Sequence, residues 1–180
     1  VILVGEIRDR ETCQIALQAA LTGHLVFSTV HTNDAPSAFT RLLDLGVEEF
    51  LLNAALVSII AQRLVRRLCG HCAIPDHDAV KLIEKYKLKT LAQKFSIQSI
   101  TLRKAVGCDH CANAGFRGRM AVIEYLPCDD ALRAIKKDDQ FLASARAQNK
   151  KNNNRDLLED GLLKAMAGST TIDEVFRVCG

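Results

Sequence analysis

Four of the seven cysteines occur as two Cys-x-x-Cys pairs, Cys69 with Cys72 and Cys108 with Cys111. Each pair can fold into a tight knuckle that presents two thiolates to one ion, and two knuckles complete a tetrahedral all-cysteine site. The spacing therefore predicts structural zinc. Redox-active disulfides or unligated thiols are the alternative.

The other thiols and the histidines inside the two pairs are not needed for this site. Because four cysteines already fill a tetrahedral coordination sphere, His71 and His110 are expected to be bystanders. Cys13, Cys128 and Cys179 are isolated and are expected to be ordinary buried or half-buried thiols. An odd number of scattered cysteines is not typical of a secreted disulfide framework, which favours a reducing compartment.

A second chemical signal lies in the opening stretch "VILVGEIRD". Val1–Val4 is a short apolar run of the kind that forms a strand covered on both faces. Ligands of open parallel sheets bind beyond the carboxyl ends of the strands, so Glu6 is expected at a ligand-binding edge. A carboxylate there can hold a magnesium-bound water or orient the water that attacks a γ-phosphate. The alternative is a strand-end glutamate paired with Arg8.

The next predicted strand ends in the polar sequence "STVHTND" at the same edge of the sheet. His31 in this sequence could contact a terminal phosphate, and His24 opens the same strand. The helix that follows favours an anion near its N-terminus. The alternative for a lone histidine is a structural hydrogen-bonding role.

These side chains must be positioned by alternating strands and helices, which is typical of a parallel α/β sheet. Asp9 caps the first predicted helix, and Asn33 or Asp34 caps the second. The predicted elements up to the first cysteine pair are strand 1–4, helix 10–21, strand 24–30, helix 35–46 and an apolar helix 48–68. Arg63, Arg66 and Arg67 are expected to form a solvated face of that last helix.

The pattern changes after Cys69. A lysine-rich helical stretch, "DAVKLIEKYKLKTLAQKF", and a strand in "IQSITLRKAV" separate the cysteine pairs. Thr171 and Glu174 have the spacing of a capping box at the start of the last helix. The remaining predicted elements are strand 120–126 and helices 130–137, 141–148 and 156–167.

Composition limits the possible functions only weakly. The 180 residues carry a net charge of +3, too small to indicate nucleic-acid or membrane-surface binding. The longest apolar stretch, 50–61, falls short of the roughly 20 residues of a membrane span.

Several long motifs in a consistent order resemble the secretion-motor ATPases of type II secretion and type IV pilus assembly. They are "ILVGEIRDRET", "QAALTGHLVFSTVHTNDAPSAFTRLLDLGV", "AQRLVRRLCGHC", "GCDHCANAGFRGRMAVIEYL" and "DLLEDGLLKAMAGSTTIDEVFRV". The resemblance fails mainly between the cysteine pairs and around "QNKKNNNR". It covers most of the chain.

The resemblance implies roles for particular residues. "ILVGEIRD" corresponds to the family's Walker B strand, which makes Glu6 the catalytic glutamate. "TGHLVFSTVHT" corresponds to its His box, which makes His24 and His31 nucleotide-site candidates. Basic residues at family positions thought to reach phosphates, in their own or a neighbouring subunit, are Arg8, Arg41 and Arg119. Surface or packing ion pairs are the alternative for each arginine. The family also has the tetracysteine element.

The resemblance further implies an incomplete α/β RecA-like P-loop ATPase core with a tetracysteine zinc subdomain and a helical C-terminal region. The divisions expected are 1–68, 69–116 and 117–180. The family's Walker A loop ends in Gly-Lys-Ser/Thr, and this sequence does not occur here. We therefore expect this chain alone to bind ATP poorly and to hydrolyse none.

The whole protein implied by the resemblance is a homo-hexameric ATPase, with ATP and Mg²⁺, on the cytoplasmic face of a bacterial inner membrane. It would work with platform and docking proteins of a secretion or pilus machine, with no membrane insertion and no nucleic acid. The alternatives are a zinc-ribbon nucleic-acid-binding module and a related motor for DNA uptake or pilus retraction. The few aromatic residues disfavour the zinc-ribbon module, and retraction motors are expected to lack the cysteine quartet.

Overall fold

A computed structural model describes residues 1–180 and shows a mixed α/β chain. Its six strands are β1 (Ile2–Leu3), β2 (Val26–Phe27), β3 (Ser58–Leu68), β4 (Ile74–Pro75), β5 (Arg103–Lys104) and β6 (Phe116–Pro127). They form three two-stranded sheets, β1–β2, β3–β6 and β4–β5.

Nine α-helices accompany these strands. They are α1 (Arg10–Leu21), α2 (Ala35–Asp44), α3 (Glu49–Ala55), α4 (Ala79–Lys85), α5 (Leu88–Lys94), α6 (Asp130–Arg133), α7 (Phe141–Lys151), α8 (Leu157–Met166) and α9 (Ile172–Cys179). None of them combines the length and the hydrophobicity that a membrane-spanning helix needs.

The chain divides into two compact units, each made of two chain segments. Unit 1 contains 1–61 and 124–154, and unit 2 contains 62–123 and 155–180. The boundaries fall within β3, within β6 and after Asn154. The predicted parts 1–68, 69–116 and 117–180 are defined by their expected functions, whereas the two units are defined by contacts between residues. The predicted division stays a prediction.

Unit 1 contains the parallel pair β1–β2, in which Ile2 is paired with Val26 and Leu3 with Phe27. Its core combines α1, α2 and α3 with the end of β6 and with α6 and α7. Buried side chains that form this core include Cys13, Phe39, Leu52, Leu126, Leu132 and Phe141. The aromatic rings of Phe39 and Phe141 lie 5.3 Å apart, centroid to centroid.

The expectation that β1 is covered on both faces is wrong for this chain. Leu3 is 80% exposed and Phe27 is 53% exposed, whereas their neighbours Ile2 and Val26 are half-buried. Side chains alternate between the two faces of a strand, so only one face of this pair is packed against the rest of unit 1.

Helices α1 and α2 begin where the sequence predicts. The Asp9 carboxylate accepts a hydrogen bond from the Thr12 N–H at the start of α1. The Asp34 carboxylate does the same for the Ser37 N–H at the start of α2. Each carboxylate satisfies one of the N–H groups that the first turn leaves without an intrahelical partner.

The predicted helix 48–68 is wrong. α3 ends at Ala55, and Ser58–Leu68 forms β3, which pairs with β6. Ile60, Gln62 and Leu64 are exposed and alternate with less exposed neighbours, which is the two-residue period of a strand. Likewise, "IQSITLRKAV" yields only the two-residue strand β5.

Unit 2 packs α4, α5, α8 and α9 together. Its core includes Leu88, Leu102, Leu163, Met166, Ile172 and Val175. Gly161 in α8 permits close packing against α9, because a Cβ atom at this position would lie 2.6 Å from Val175 Cγ1. The antiparallel pair β4–β5 belongs to the same unit.

Candidate functional site

Two groups of side chains are candidates for chemistry, one in each unit. The strand-end site consists of Glu6 and His31 in unit 1, and the cysteine cluster consists of Cys69, Cys72, Cys108 and Cys111 in unit 2.

The strand-end site forms because β1 and β2 are parallel and stay paired beyond their strand ends. The Val4 N–H donates to the Phe27 carbonyl at 2.8 Å, and the Ile7 N–H donates to the Thr29 carbonyl at 2.9 Å. The Thr29 hydroxyl donates to the Gly5 carbonyl at 2.7 Å. These bonds hold the residues around Glu6 beside the segment that leads to His31.

Glu6 and His31 are in direct contact. Their Oε2 and Nε2 atoms lie 3.2 Å apart, although 25 residues separate them in the chain. The Glu6 side chain is 28% exposed and that of His31 is 85% exposed, so both remain accessible to solvent. The other carboxylate oxygen of Glu6 forms an ion pair with Arg8 Nε. The Arg8 pairing that the sequence left as an alternative is therefore present, together with the histidine contact.

His24 lies at the opposite end of β2 from His31. Its Nδ1 atom is 3.2 Å from the Ala19 carbonyl oxygen and 3.3 Å from the Thr22 hydroxyl. These contacts join it to the C-terminal end of α1. The structure does not bring His24 together with Glu6, and its role in a nucleotide site stays a prediction.

The arginines of the sequence-based prediction are exposed. Arg41 lies on α2 in unit 1, and Arg119 lies on β6 in unit 2. Arg8 is the one that contacts Glu6. Phosphate contacts by any of the three stay predictions.

Sequence reasoning missed a carboxylate at the start of α2. Glu124 is 3% exposed on β6, and its Oε2 atom accepts a hydrogen bond from the Ala35 N–H at 3.0 Å. Asp34 beside it is also bound by Arg146. A carboxylate of the protein itself thus lies at this helix N-terminus, and an anionic ligand there stays a prediction. A charged residue inside the apolar run "MAVIEYL" is the signal that could have revealed it.

The cysteine cluster has the dimensions of a metal site. The four Sγ atoms lie within 4.8 Å of one another. The pairs Cys69–Cys108 and Cys72–Cys111 have Sγ separations of 3.9 and 3.8 Å. A tetrahedral ion with Zn–S bonds of about 2.3 Å places its sulfurs about 3.8 Å apart, whereas a disulfide requires about 2.05 Å. The residues present therefore fit zinc.

Backbone N–H groups face the sulfurs of the cluster. The Gly107 N–H donates to Cys72 Sγ at 3.3 Å, and the N–H groups of Cys108 and Gly115 donate to Cys111 Sγ at 3.3 and 3.2 Å. Gly115 has a φ of +73°, and a Cβ atom there would lie 2.6 Å from the Ala105 Cβ, so this position requires glycine.

The pKa values of Cys108 and Cys111 are shifted in opposite directions. Burial disfavours ionisation of Cys111, but the N–H donors outweigh it and lower its pKa to about 7. Burial and neighbouring thiols raise the pKa of Cys108 to about 11. The two thiols of the second knuckle are therefore shifted in opposite directions by their surroundings.

The histidines of the two knuckles stack on each other. The rings of His71 and His110 lie 3.9 Å apart, centroid to centroid, and both residues are exposed. Their expected role as bystanders stays a prediction. The isolated thiols Cys13 and Cys128 are buried, and Cys179 is half-buried.

Unit 2 contains a buried carboxylate that sequence reasoning assigned only to helix capping. The Glu174 N–H does bind the Thr171 hydroxyl at the start of α9, as expected. Its carboxylate, however, binds Arg66 and Arg177. Arg66 therefore lies on β3 and not on the predicted helix, and its side chain, which is 48% exposed, is paired with a buried carboxylate.

Comparison with known proteins gives consistent matches across the chain. A family model described as "Type II/IV secretion system protein" matches residues 1–177. The type IV pilus assembly ATPase TfpB of Acinetobacter baylyi is 43% identical over 99% of this chain and 30% of its own length. The type II secretion system ATPase E of Vibrio cholerae is 44% identical over 99% of this chain and 34% of its own length.

Solved structures with a similar fold include the ATPase DotB of Legionella pneumophila and the pilus retraction motor PilT with bound ADP. Each has a TM-score of 0.62 and 22% identity. They cover 98% of this chain, which covers 37% and 38% of theirs. At this identity the likeness shows the fold alone. The chain spans about a third of the length of these curated relatives and structures.

Proposed function

The chain belongs to the type II/IV secretion system protein family, and from this premise we propose that it forms the carboxyl-terminal portion of an ATPase. The proposed ATPase powers type II protein secretion or type IV pilus assembly, the processes named for its relatives. The contact between Glu6 and His31 at the carboxyl edge of a parallel strand pair carries the proposal.

Glu6 is the proposed catalytic base or water-orienting group. One of its oxygens faces His31 and the other faces Arg8, so the carboxylate is held from both sides. A carboxylate in this position can accept a hydrogen bond from water and take up its proton as the water oxygen bonds to the γ-phosphorus of ATP, while the bond to the bridging oxygen breaks and ADP leaves. When bound, ATP and Mg²⁺ supply the phosphoryl group and the charge that neutralises it.

His31 is proposed to sense the terminal phosphate. Its imidazole lies against Glu6 and is largely exposed, so a movement of this ring alters the hydrogen bonding of the carboxylate. His24, Arg8, Arg41 and Arg119 are proposed as further nucleotide contacts on the basis of the family resemblance. The strand-end site is proposed to supply the hydrolytic part of a nucleotide site. The phosphate-binding motif G-x-x-x-x-G-K-[ST] does not occur in the 180 residues.

Structural zinc is the proposed occupant of the cysteine cluster. Bound zinc closes a tetrahedral thiolate site and contributes folding free energy. The sulfur separations of 3.8 and 3.9 Å support this proposal.

We further propose a homo-hexamer at the cytoplasmic face of an inner membrane, with platform and docking proteins as partners. The supporting observation is that the relatives belong to secretion and pilus machines. Closed rings allow an arginine of one subunit to complete the site of its neighbour.

The test is ATP hydrolysis by the full-length protein that contains this chain. Glu6→Gln is expected to lower kcat at least 100-fold while nucleotide binding is retained, because loss of a general base typically costs 10²–10⁴-fold. Glu11→Gln, an exposed glutamate of α1, is the matched control and should leave kcat unchanged. Turnover by Glu6→Gln within a few-fold of wild type would contradict the proposal.

A further inference from the structure

The carboxylate of Glu174 in α9 is the most completely enclosed charged group of unit 2. Its side chain is 0% exposed. Arg177, one turn along the same helix, donates to it through Nε and Nη2 at 2.8 and 2.6 Å. Arg66 donates through its backbone N–H, Nε and Nη2 at 2.9, 3.0 and 2.7 Å. The carboxylate therefore fixes both the backbone and the side chain of Arg66, which lies 108 residues away in the chain.

Arg66 lies three residues before the first ligand of the cysteine cluster. Its carbonyl accepts a hydrogen bond from the buried Thr170 hydroxyl at 2.8 Å. The Leu68 N–H donates to the Ser169 carbonyl at 2.9 Å. The segment that leads into Cys69 is therefore held along its length by the turn between α8 and α9 and by Glu174.

The guanidinium group of Arg66 continues this connection to the second knuckle. It stacks over the ring of Phe116, with Cζ 4.2 Å from the ring centroid. The residue before Phe116 is Gly115, whose N–H donates to Cys111 Sγ at 3.2 Å. The carbonyl of Gly115 accepts a hydrogen bond from the Cys69 N–H at 3.0 Å. The stacked side chains of Arg66 and Phe116 are thus connected through Gly115 to both Cys-x-x-Cys pairs.

We propose that Glu174 is a positioning residue for the cysteine cluster, and that it sets metal affinity through Arg66 and Phe116. The inference rests on the proposed zinc site. Metal affinity depends on how well the ligands are held in the bound geometry, and groups that orient ligands typically contribute 10–100-fold. Coupling of this kind is reciprocal, so bound metal also strengthens the Glu174–Arg66 interaction.

Titration of the reduced, metal-free 180-residue chain with Co²⁺ tests the proposal. The thiolate-to-cobalt absorption band reports four-sulfur coordination, and competition with a chelator gives the Kd for Co²⁺ and for Zn²⁺. Glu174→Gln is expected to raise the Kd for both metals at least tenfold. It should also alter the cobalt d–d bands, because the sulfur tetrahedron is less well held.

Val175→Ala is the matched control. Val175 is the next residue of α9, is 0% exposed and packs against Gly161 of α8. Its truncation destabilises the same helix without touching Arg66, and Kd should stay within threefold of wild type. Phe116→Leu leaves the Glu174–Arg66 pair in place and is expected to weaken binding several-fold. It decides the question if Glu174→Gln does not fold.

The outcomes separate this inference from the zinc proposal. Absence of metal binding by the wild-type chain overturns the zinc site and the inference with it. Wild-type binding with an unchanged Kd in Glu174→Gln, or in Phe116→Leu where Glu174→Gln fails to fold, overturns the inference alone. An equal loss of affinity in Val175→Ala also overturns it, because general destabilisation would then explain the effect.

Discussion

The two units differ in how their candidate sites are supported. In unit 1 the strand-end site consists of a partly exposed carboxylate and a largely exposed imidazole. In unit 2 the cysteine cluster is surrounded by N–H donors and backed by a carboxylate with no solvent exposure. A site with buried polar partners is held by the fold, whereas exposed groups contribute little to stability and are free to act on a ligand. We therefore expect changes at the cysteine cluster to alter mainly the stability of the fold. Changes at the strand-end site should alter mainly the chemical reaction.

Removal of metal should produce the largest difference between the responses of the two units. Structural zinc contributes roughly 10 kcal/mol or more in small zinc domains. Chelation, or Cys69→Ser, is expected to speed amide hydrogen exchange in residues 69–75 and 107–116 by at least 100-fold. Helices α1 and α2 of unit 1 should change less than threefold. Equal acceleration in both units, measured by mass spectrometry, would show that they open together.

A core truncation in unit 1 should produce the opposite pattern. Phe39 is 0% exposed and packs on Phe141, with Lys137 Nζ 5.2 Å from its ring centroid. Phe39→Ala should lower the free energy of unfolding of unit 1 by about 3–5 kcal/mol and leave zinc affinity unchanged. Phe27→Ala, at a half-exposed position in the same unit, should cost less than about 1 kcal/mol. A large loss of zinc affinity in Phe39→Ala would refute the separation.

Acid should act on unit 2 through Glu174. Hydrogen bonds from Arg177, and then those from Arg66, outweigh burial and lower the pKa of Glu174 from 4.5 to about 2. Because the folded pKa is the lower one, this stabilisation is complete above pH 4.5 and is lost as pH falls towards 2. It amounts to roughly 3 kcal/mol. In metal-free protein, the difference in unfolding free energy between wild type and Glu174→Gln should shrink across this range, and a constant difference would contradict it.

The smallest effect is expected at the strand-end site. Glu6→Gln and His31→Ala each remove one partner of an accessible contact, so the free energy of unfolding should change by less than about 1 kcal/mol. Thermal unfolding of unit 1 is the measurement. A loss of several kcal/mol would mean that Glu6 serves the fold, contrary to the comparison of the two sites.

Local signals predicted much of the fold. Asp9 and Asp34 cap α1 and α2 because a carboxylate beside free N–H groups needs no distant partner. Glu6 and His31 were expected at one edge because parallel strands end together, and this proximity is confirmed. The cysteine spacing likewise predicted the cluster.

The errors have a shared cause in contacts between distant residues. Segment 58–68 is a strand because it pairs with β6, and local periodicity did not reveal that partner. Glu174 was assigned only to capping because its partner Arg66 lies 108 residues earlier. Glu124 reaches α2 from 89 residues away. No local pattern specifies such partners.

The distance between Arg66 and Glu174 also has a consequence for synthesis. The chain is made from its N-terminus, so all four cysteines leave the ribosome well before α9 does. If the cluster binds metal as proposed, we expect it to mature in two steps. The four ligands are complete once Cys111 has been made, and the support from Glu174 arrives only with α9.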